Sequence, residues 1–282
     1  MHVLSFCAKE IFCADKVIMK DIIVVTGASS GLGKEFVKQI ETIENVDEIW
    51  VIARREDRLK ALAEEVKTPL KILALDLSKQ EDIAVYSAKL KKENPTVKYL
   101  INCAGFGKFG HIEKMPAETQ LNMIDLNCKA VVSICAETLP YTKEGSKIIN
   151  VASCAAFQPI PYINVYAATK AFVLSYSRAL NVELKYRKVS VTAVCPYWVK
   201  TEFFDRAINP DEKTVVINYG VMYSADKVVK KAIRDARKGK DISVYGKINK
   251  LQKLGAKILP HKLVMKIWMN RQKYDGTPNV RK

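Results

Sequence analysis

The sequence has no uninterrupted apolar run of about 18 residues or more, so no segment of it is predicted to cross a membrane. Its seven cysteines include no Cys-x-x-Cys pair, and its three histidines are scattered. This pattern argues against a zinc site, and we expect no bound metal. The cysteines are interpreted as reduced thiols of a cytoplasmic protein.

The first residues lack the unbroken apolar core of a signal peptide, because Lys9, Glu10, Asp15 and Lys16 interrupt it. Residues 1–19 are therefore interpreted as a disordered N-terminal extension, or as residues upstream of a true start near Met19. The sequence alone does not decide between these two.

Acidic residues are scarce relative to basic ones, with 30 against 46, and the net charge is +16. The excess is concentrated in residues 247–282, which contain ten basic residues and a single acid. An amphipathic pattern puts one apolar set on one helical face: Ile248, Leu251, Leu254, Ile258 and Leu259. Such a segment suits packing on the domain or on a second subunit, and it also suits peripheral contact with an anionic membrane. No recognition motif accompanies the charge, so nucleic acid is not an expected partner.

No Pro/Gly/Ser-rich linker and no internal repeat divides the chain, which predicts one domain. Short apolar strands alternate with helical stretches, and the strands are continuously apolar. This is typical of an α/β fold with a doubly wound parallel sheet. We predict strands at 21–27, 48–53, 70–77, 97–105, 146–153, 190–196 and 241–245. The predicted helices are 34–43, 54–66, 81–93, 116–139, 165–186 and 225–238.

A glycine-rich loop, TGASSGLG at 26–33, joins the first strand to the first helix. Gly27, Gly31 and Gly33 let the backbone turn and come close to a pyrophosphate. The following helix N-terminus offers free N–H groups to the anion. The pattern therefore indicates a nucleotide site, although a plain Gly/Ser-rich turn would look similar.

The second strand ends in VIARRED, where an acid would usually bind the ribose hydroxyls of NAD. Ala53 takes that place, and Arg54 and Arg55 follow it. Guanidinium groups suit a 2′-phosphate, so we predict NADP(H), with Arg54 as the main contact and Arg55 as support. The alternative is that these arginines simply open a solvated helix.

Tyr166 and Lys170 lie four residues apart, on one face of a predicted helix. A lysine there is expected to lower the pKa of the tyrosine toward neutrality, as a general acid/base requires. The spacing also occurs by chance on solvated helices.

Taken together, the glycine loop, NCAG at 102–105, Ser153 and the Tyr-x-x-x-Lys pair resemble the short-chain dehydrogenase/reductase family over residues 20–246. The resemblance implies a seven-stranded Rossmann-type sheet and an oligomer, either a homodimer or a homotetramer. It implies a catalytic set of Asn127, Ser153, Tyr166 and Lys170. Ser153 would polarise the substrate carbonyl, and Asn127 would anchor a proton path.

The resemblance also implies which residues hold the cofactor. Beyond the residues already named, these are Ser29, Ser30, Leu32, Asp76, Leu77, Asn102, Ala104, Gly105, Pro196, Val199 and Thr201. Lys170 would hold the nicotinamide ribose, and Asp76 would contact adenine. The chain departs from the family pattern at Cys103, where a second asparagine is usual, and at Tyr197, where a glycine is usual.

The residues expected to border the substrate are mostly aromatic or apolar: Phe157, Tyr162, Tyr197 and Phe203, beside Ser153 and Tyr166. We therefore expect a hydroxysteroid, a long-chain acyl compound or a xenobiotic ketone. The same aromatics could instead form core or a mobile lid. The alternatives to an enzyme are a non-catalytic NADP-binding sensor and a membrane-surface scaffold.

Overall fold

The computed structural model describes residues 19–208 and 215–272. Within them a seven-stranded sheet has the order β3-β2-β1-β4-β5-β6-β7, and every neighbouring pair is parallel. The strands are β1 Asp21–Thr26, β2 Glu48–Ile52, β3 Leu70–Leu73, β4 Thr96–Asn102, β5 Lys147–Val151, β6 Ser190–Val194 and β7 Ile242–Ser243. The order reverses between β1 and β4, so the sheet is the predicted doubly wound one.

Helices connect the strands and cover both faces of the sheet. They are α1 Gly31–Ile40, α2 Glu56–Ala63, α3 Gln80–Glu93, α4 Ala117–Ile124, α5 Ala130–Thr138, α6 Asn164–Glu183, α7 Phe203–Ala207, α8 Ala225–Arg237, α9 Lys247–Ile258 and α10 His261–Arg271. The predicted N-terminal extension lies outside the described residues, except for its last position, Met19.

Two apolar clusters pack against opposite faces of the sheet, and together they make one domain. Alternate residues of β1 enter alternate clusters, with Ile22 and Val24 on one face and Ile23 and Val25 on the other. Both faces are buried, which is why the strand is continuously apolar rather than alternating.

The helix predicted over 116–139 is interrupted. Between α4 and α5 the backbone forms a π-helical turn, Asp125–Lys129. A π-turn inserts an extra residue into a helix and is common at functional sites. Asn127 lies inside this turn with its side chain fully buried.

The C-terminal segment forms α9 and α10, and both pack on the domain. Asn249 and Ala256 are buried against the domain and Gln252 is half-buried, whereas the apolar set Ile248, Leu251, Leu254, Ile258 and Leu259 is exposed. On the buried face, the side-chain amide of Asn249 donates to the Cys195 carbonyl at 2.8 Å. No helix among the described residues is both long and apolar enough to span a membrane.

Candidate active site

The glycine loop lies where the strand order reverses, at the carboxyl ends of β1 and β4. Gly27 has a φ of +69°, and a Cβ there would come within 2.7 Å of the Ala104 backbone nitrogen. A Cβ on Gly33 would lie 2.2 Å from the Gly27 carbonyl oxygen. Both glycines are therefore required by close backbone contacts. Beyond them α1 begins without a side-chain cap, so its first N–H groups are free to bind an anion.

Arg54 and Arg55 leave the end of β2 in different directions. Arg55 is 26% exposed and turns toward the glycine loop, where its Nη2 donates to Ser30 Oγ at 2.8 Å and Ser29 Oγ at 3.2 Å. Its Nη1 donates to Glu202 at 2.9 Å, while its buried Nε has no partner among the described residues. Arg54 is 56% exposed and lies 3.6 Å from Asp76.

Asp76 follows β3 and lines the same cavity as the arginines. Burial raises the pKa of its carboxyl, but hydrogen bonds from Ser78 and the charge of Arg54 outweigh burial and hold it below its ordinary value. Asn102 differs from the prediction: its side-chain amide donates to Asn150 at 2.9 Å, inside the sheet, and does not line the cavity. Its neighbours Ala104 and Gly105 do line it.

Thr26 holds the turn after β4, which contains Cys103 at the position where the family resemblance implied an asparagine. The hydroxyl oxygen of Thr26 accepts hydrogen bonds from the backbone N–H groups of Cys103 and Ala104, both at 3.1 Å. Burial raises the pKa of the Cys103 thiol to about 12, which keeps it protonated. The substitution thus leaves the turn intact and adds no charge beside the site.

Ser153, Tyr166 and Lys170 converge on the cavity from β5 and α6. Ser153 Oγ accepts from the Ala155 backbone at 3.1 Å, which orients the hydroxyl. Lys170 is buried, and its ammonium donates to the Val151 carbonyl at 2.8 Å. The same Nζ lies 5.7 Å from the centroid of the Tyr166 ring. The end of β5 and helix α6 thus bring the Ser153 hydroxyl, the Tyr166 phenol and the Lys170 ammonium to one cavity.

The pKa of Tyr166 is raised above its ordinary value of 10.0 because burial disfavours the phenolate, and a hydrogen bond with Ser153 offsets only part of this effect. This direction is opposite to the one predicted from the Tyr-x-x-x-Lys spacing. In the protein alone, Tyr166 is therefore a protonated phenol, the form that donates a proton to a carbonyl oxygen.

Asn127 braces the loop after β4. Its Oδ1 accepts from the Phe106 N–H at 3.0 Å, and its Nδ2 donates to the Phe106 carbonyl at 2.8 Å and to Thr169 Oγ1 at 3.1 Å. These three hydrogen bonds fix the Asn127 side chain between the loop after β4 and α6. A Cβ on Gly105 would lie 2.8 Å from Asn127 Oδ1, so Gly105 permits this contact.

Burial lowers the pKa of Lys170 from 10.5 to about 8. Between about pH 8 and 10.5 the unfolded chain binds a proton that the folded protein has lost, so this group adds stability as pH rises. We expect Lys170→Met to abolish this contribution. The difference in unfolding free energy between the two proteins should move by about 2–3 kcal/mol in favour of the wild type between about pH 7 and 10. Urea unfolding of the cofactor-free proteins measures it, and an unchanged difference would contradict the shift.

The catalytic groups and the glycine loop share one cavity of about 460 Å³. The predicted cofactor residues Leu77, Pro196, Val199 and Thr201 line it, as do Tyr197 and Phe203. Two predicted substrate residues do not: Phe157 packs on the core, and Tyr162 stacks edge-on against His111 with ring centroids 4.9 Å apart. Tyr162 also adopts a left-handed backbone, with a φ of +68°, before α6.

The sequence analysis missed the contribution of the C-terminal helices to this cavity. The lining includes Leu251 and Gln252 of α9, Leu259 between the two helices, and Val264, Ile267 and Trp268 of α10. Trp268 is held by a hydrogen bond from its indole to the Pro161 carbonyl at 3.2 Å. The amphipathic pattern signalled a packed helix but carried no information about which part of the domain it covers.

Comparison with known proteins gives consistent results. The short chain dehydrogenase family model matches residues 21–212. Sulfoacetaldehyde reductase 2 of Chromohalobacter salexigens is 33% identical over 198 residues, which covers 66% of this chain and 75% of the relative. An NADP-dependent 3-hydroxy acid dehydrogenase of Salmonella typhi is 32% identical over 196 residues, covering 68% and 78%. A short-chain dehydrogenase from Sphingobium yanoikuyae, solved with NADPH, superposes with a TM-score of 0.70 at 23% identity, covering 93% of this chain and 98% of its own.

Proposed function

Because the chain belongs to the short-chain dehydrogenase family, we propose that it reduces the carbonyl group of a hydrophobic substrate with NADPH, with Tyr166 as the proton donor. The chain is an oxidoreductase that interconverts alcohols and ketones with a nicotinamide cofactor. The proposal adds the cofactor preference, the substrate class and the residue roles. The reverse oxidation would use the same groups.

One observation supports the reaction above all: Ser153, Tyr166 and Lys170 open into the same cavity as the glycine loop. When bound, the nicotinamide supplies the hydride to the carbonyl carbon. Ser153 and Tyr166 donate hydrogen bonds to the oxygen as negative charge develops there, and Tyr166 transfers its proton. Lys170 holds the cofactor ribose and places positive charge beside the phenol.

NADPH is favoured over NADH by the group of cations at the end of β2. The buried, unpartnered Nε of Arg55 and the hydroxyls of Ser29 and Ser30 converge beside the glycine loop. Arg206 belongs to the same region: burial and the charges of Arg55 and Arg54 lower its pKa, and the charge of Glu202 offsets only part of this effect. An anion such as a 2′-phosphate would relieve this repulsion, whereas the ribose hydroxyls of NADH would not.

The substrate region favours an apolar molecule, although the two curated relatives above are named for small acids. Its lining is mostly apolar or aromatic: Ile160, Ile163, Tyr197, Trp198, Phe203 and Phe204. Arg271 also reaches the cavity, and its charge lowers the pKa of Tyr197, although burial has the larger effect and raises it. An acidic substrate is therefore the second candidate, and Arg271 would be its partner.

A panel of ketosteroids, long-chain ketones, small polar ketones and 3-oxo acids, assayed by loss of NADPH absorbance, tests the substrate class. Each buried CH₂ contributes about 0.8 kcal/mol, so four extra methylenes should raise kcat/KM by roughly a hundredfold. Higher kcat/KM values for small polar ketones or 3-oxo acids would overturn the apolar assignment. NADPH binding without any turnover would favour the sensor or scaffold instead.

Self-association is proposed through α4 and α6, which correspond to the predicted helices 116–139 and 165–186. These helices expose Leu121, Ile124, Phe172 and Val182. The Phe172 and Tyr176 rings stack there with centroids 6.1 Å apart. An apolar surface of this kind suits a symmetric dimer or tetramer.

A further inference from the structure

The outward face of α9 is an apolar stripe rather than a solvated one. Ile248, Leu251, Leu254 and Ile258 recur at helical spacing, and the last three are 69%, 54% and 69% exposed. The stripe is held outward, because Asn249 anchors the opposite face of the helix to the Cys195 carbonyl. α10 continues this surface with Leu263 and Ile267, both exposed.

Cations follow this apolar surface along its whole length. Lys250, Lys253 and Lys257 recur along α9, and all three are exposed. Lys262 and Lys266 do the same on α10. Residues 247–272 contain no aspartate or glutamate at all, so nothing within either helix neutralises these charges. A strip that is both apolar and uniformly basic matches the interfacial region of an anionic bilayer.

We propose that the outward face of α9 and α10 docks on an anionic lipid membrane. A second copy of the chain is a poorer partner, since a two-fold contact through this face would set the lysines of both copies against one another. The proposed self-association through α4 and α6 uses a different surface. Lipid headgroups supply the negative charge, and the acyl boundary accepts the leucine and isoleucine side chains.

The docking surface is continuous with the mouth of the active-site cavity. Ile248 and Leu251 of the stripe and Ile267 of α10 line the cavity and are also exposed. A molecule dissolved in the bilayer would therefore reach Tyr166 without crossing water. This entry route rests on the proposed hydrophobic substrate, whereas the docking itself does not.

Co-sedimentation of the full chain with vesicles tests the docking. We expect binding to phosphatidylcholine vesicles that contain phosphatidylglycerol, weaker binding at high salt, and little binding to pure phosphatidylcholine. Each lysine near an anionic surface contributes about 1 kcal/mol, so Lys250→Gln/Lys253→Gln/Lys257→Gln should lower the partition coefficient about a hundredfold. Leu254→Gln/Ile258→Gln should lower it by about tenfold or more.

Matched controls separate a local from a general charge effect. Lys91→Gln/Lys92→Gln/Lys185→Gln removes three exposed lysines elsewhere, and vesicle binding should be nearly unchanged. Equal loss in this control and the α9 lysine variant would overturn the proposal. So would a change in the oligomeric state of the Leu254→Gln/Ile258→Gln variant, measured by sedimentation.

Activity is measured separately with a water-soluble ketone, so that failure of the proposed function is recognised on its own. None of the five substituted α9 residues lines the cavity, and turnover of that ketone should be unchanged in both variants. Turnover of a long-chain ketone presented in anionic vesicles should fall with vesicle binding. Loss of vesicle binding without any change in that turnover would overturn the entry route.

Discussion

Replacement of Tyr166 by phenylalanine is expected to lower kcat by about a thousandfold, while NADPH binding is retained. The phenol is the group that delivers a proton to the carbonyl oxygen, and phenylalanine keeps its ring but not its hydroxyl. The ring packs on Phe203 with centroids 5.4 Å apart, a contact that survives the substitution. Steady-state kinetics with the best ketone, and NADPH titration followed by fluorescence, measure the two properties.

Tyr162→Phe is the matched control, because the sequence made both tyrosines candidates for the site whereas the structure separates them. Tyr162 lies against His111, outside the active-site cavity. Removal of the Tyr162 hydroxyl should change kcat by less than about threefold, because this residue does not contact the substrate. A Tyr166→Phe variant that keeps a tenth or more of wild-type kcat would refute the proton-donor role.

Removal of Arg54 and Arg55 together is expected to abolish the preference for NADPH. A hydrogen bond to a charged group contributes about 1.5–3 kcal/mol, so each arginine that contacts the 2′-phosphate should contribute about ten- to a hundredfold in kcat/KM. In the Arg54→Ala/Arg55→Ala variant, kcat/KM with NADPH should fall by the product of the two factors. The value of kcat/KM with NADH should change little. The ratio of kcat/KM for the two cofactors is the measurement.

The ratio also separates recognition from structural damage, because both cofactors need the same glycine loop and catalytic groups. The single variants Arg54→Ala and Arg55→Ala show how much of the NADPH preference each arginine contributes. Arg55→Ala should cost more than Arg54→Ala if the inward-turned guanidinium is the main contact, and less if the exposed Arg54 is. Arg234→Ala, an exposed arginine on α8, is the charge control. A wild-type KM lower for NADH than for NADPH, unchanged by Arg54→Ala, would contradict NADP specificity.

Much of the site could be predicted from sequence because its signals are local. A strand, a glycine-rich turn and a helix follow one another within residues 21–40, and the turn glycines are needed for contacts that any such turn makes. Tyr166 and Lys170 share a face because one helix carries both. The alternation of apolar strands with helices predicted the parallel sheet for the same reason, since burial on both faces leaves a continuous apolar run.

Other features were decided only by contacts between residues far apart in the chain. The Asn127 side chain, in the π-turn, bonds to Phe106 and Thr169, and the inward-turned Arg55 bonds to Glu202 and the serines of the loop. Which predicted aromatics reach the cavity depended on how the loops fold, so Tyr197 and Phe203 line it whereas Phe157 and Tyr162 do not.

The C-terminal helices show most clearly which features the sequence determines and which depend on the tertiary structure. Sequence periodicity determined that α9 is amphipathic and basic, because the spacing of its leucines and lysines is a property of the helix itself. It could not determine which face is buried, because that depends on what the domain offers to each face. In the tertiary structure the Asn249 amide bonds to the Cys195 carbonyl on the inner face, and the apolar stripe lies at the surface.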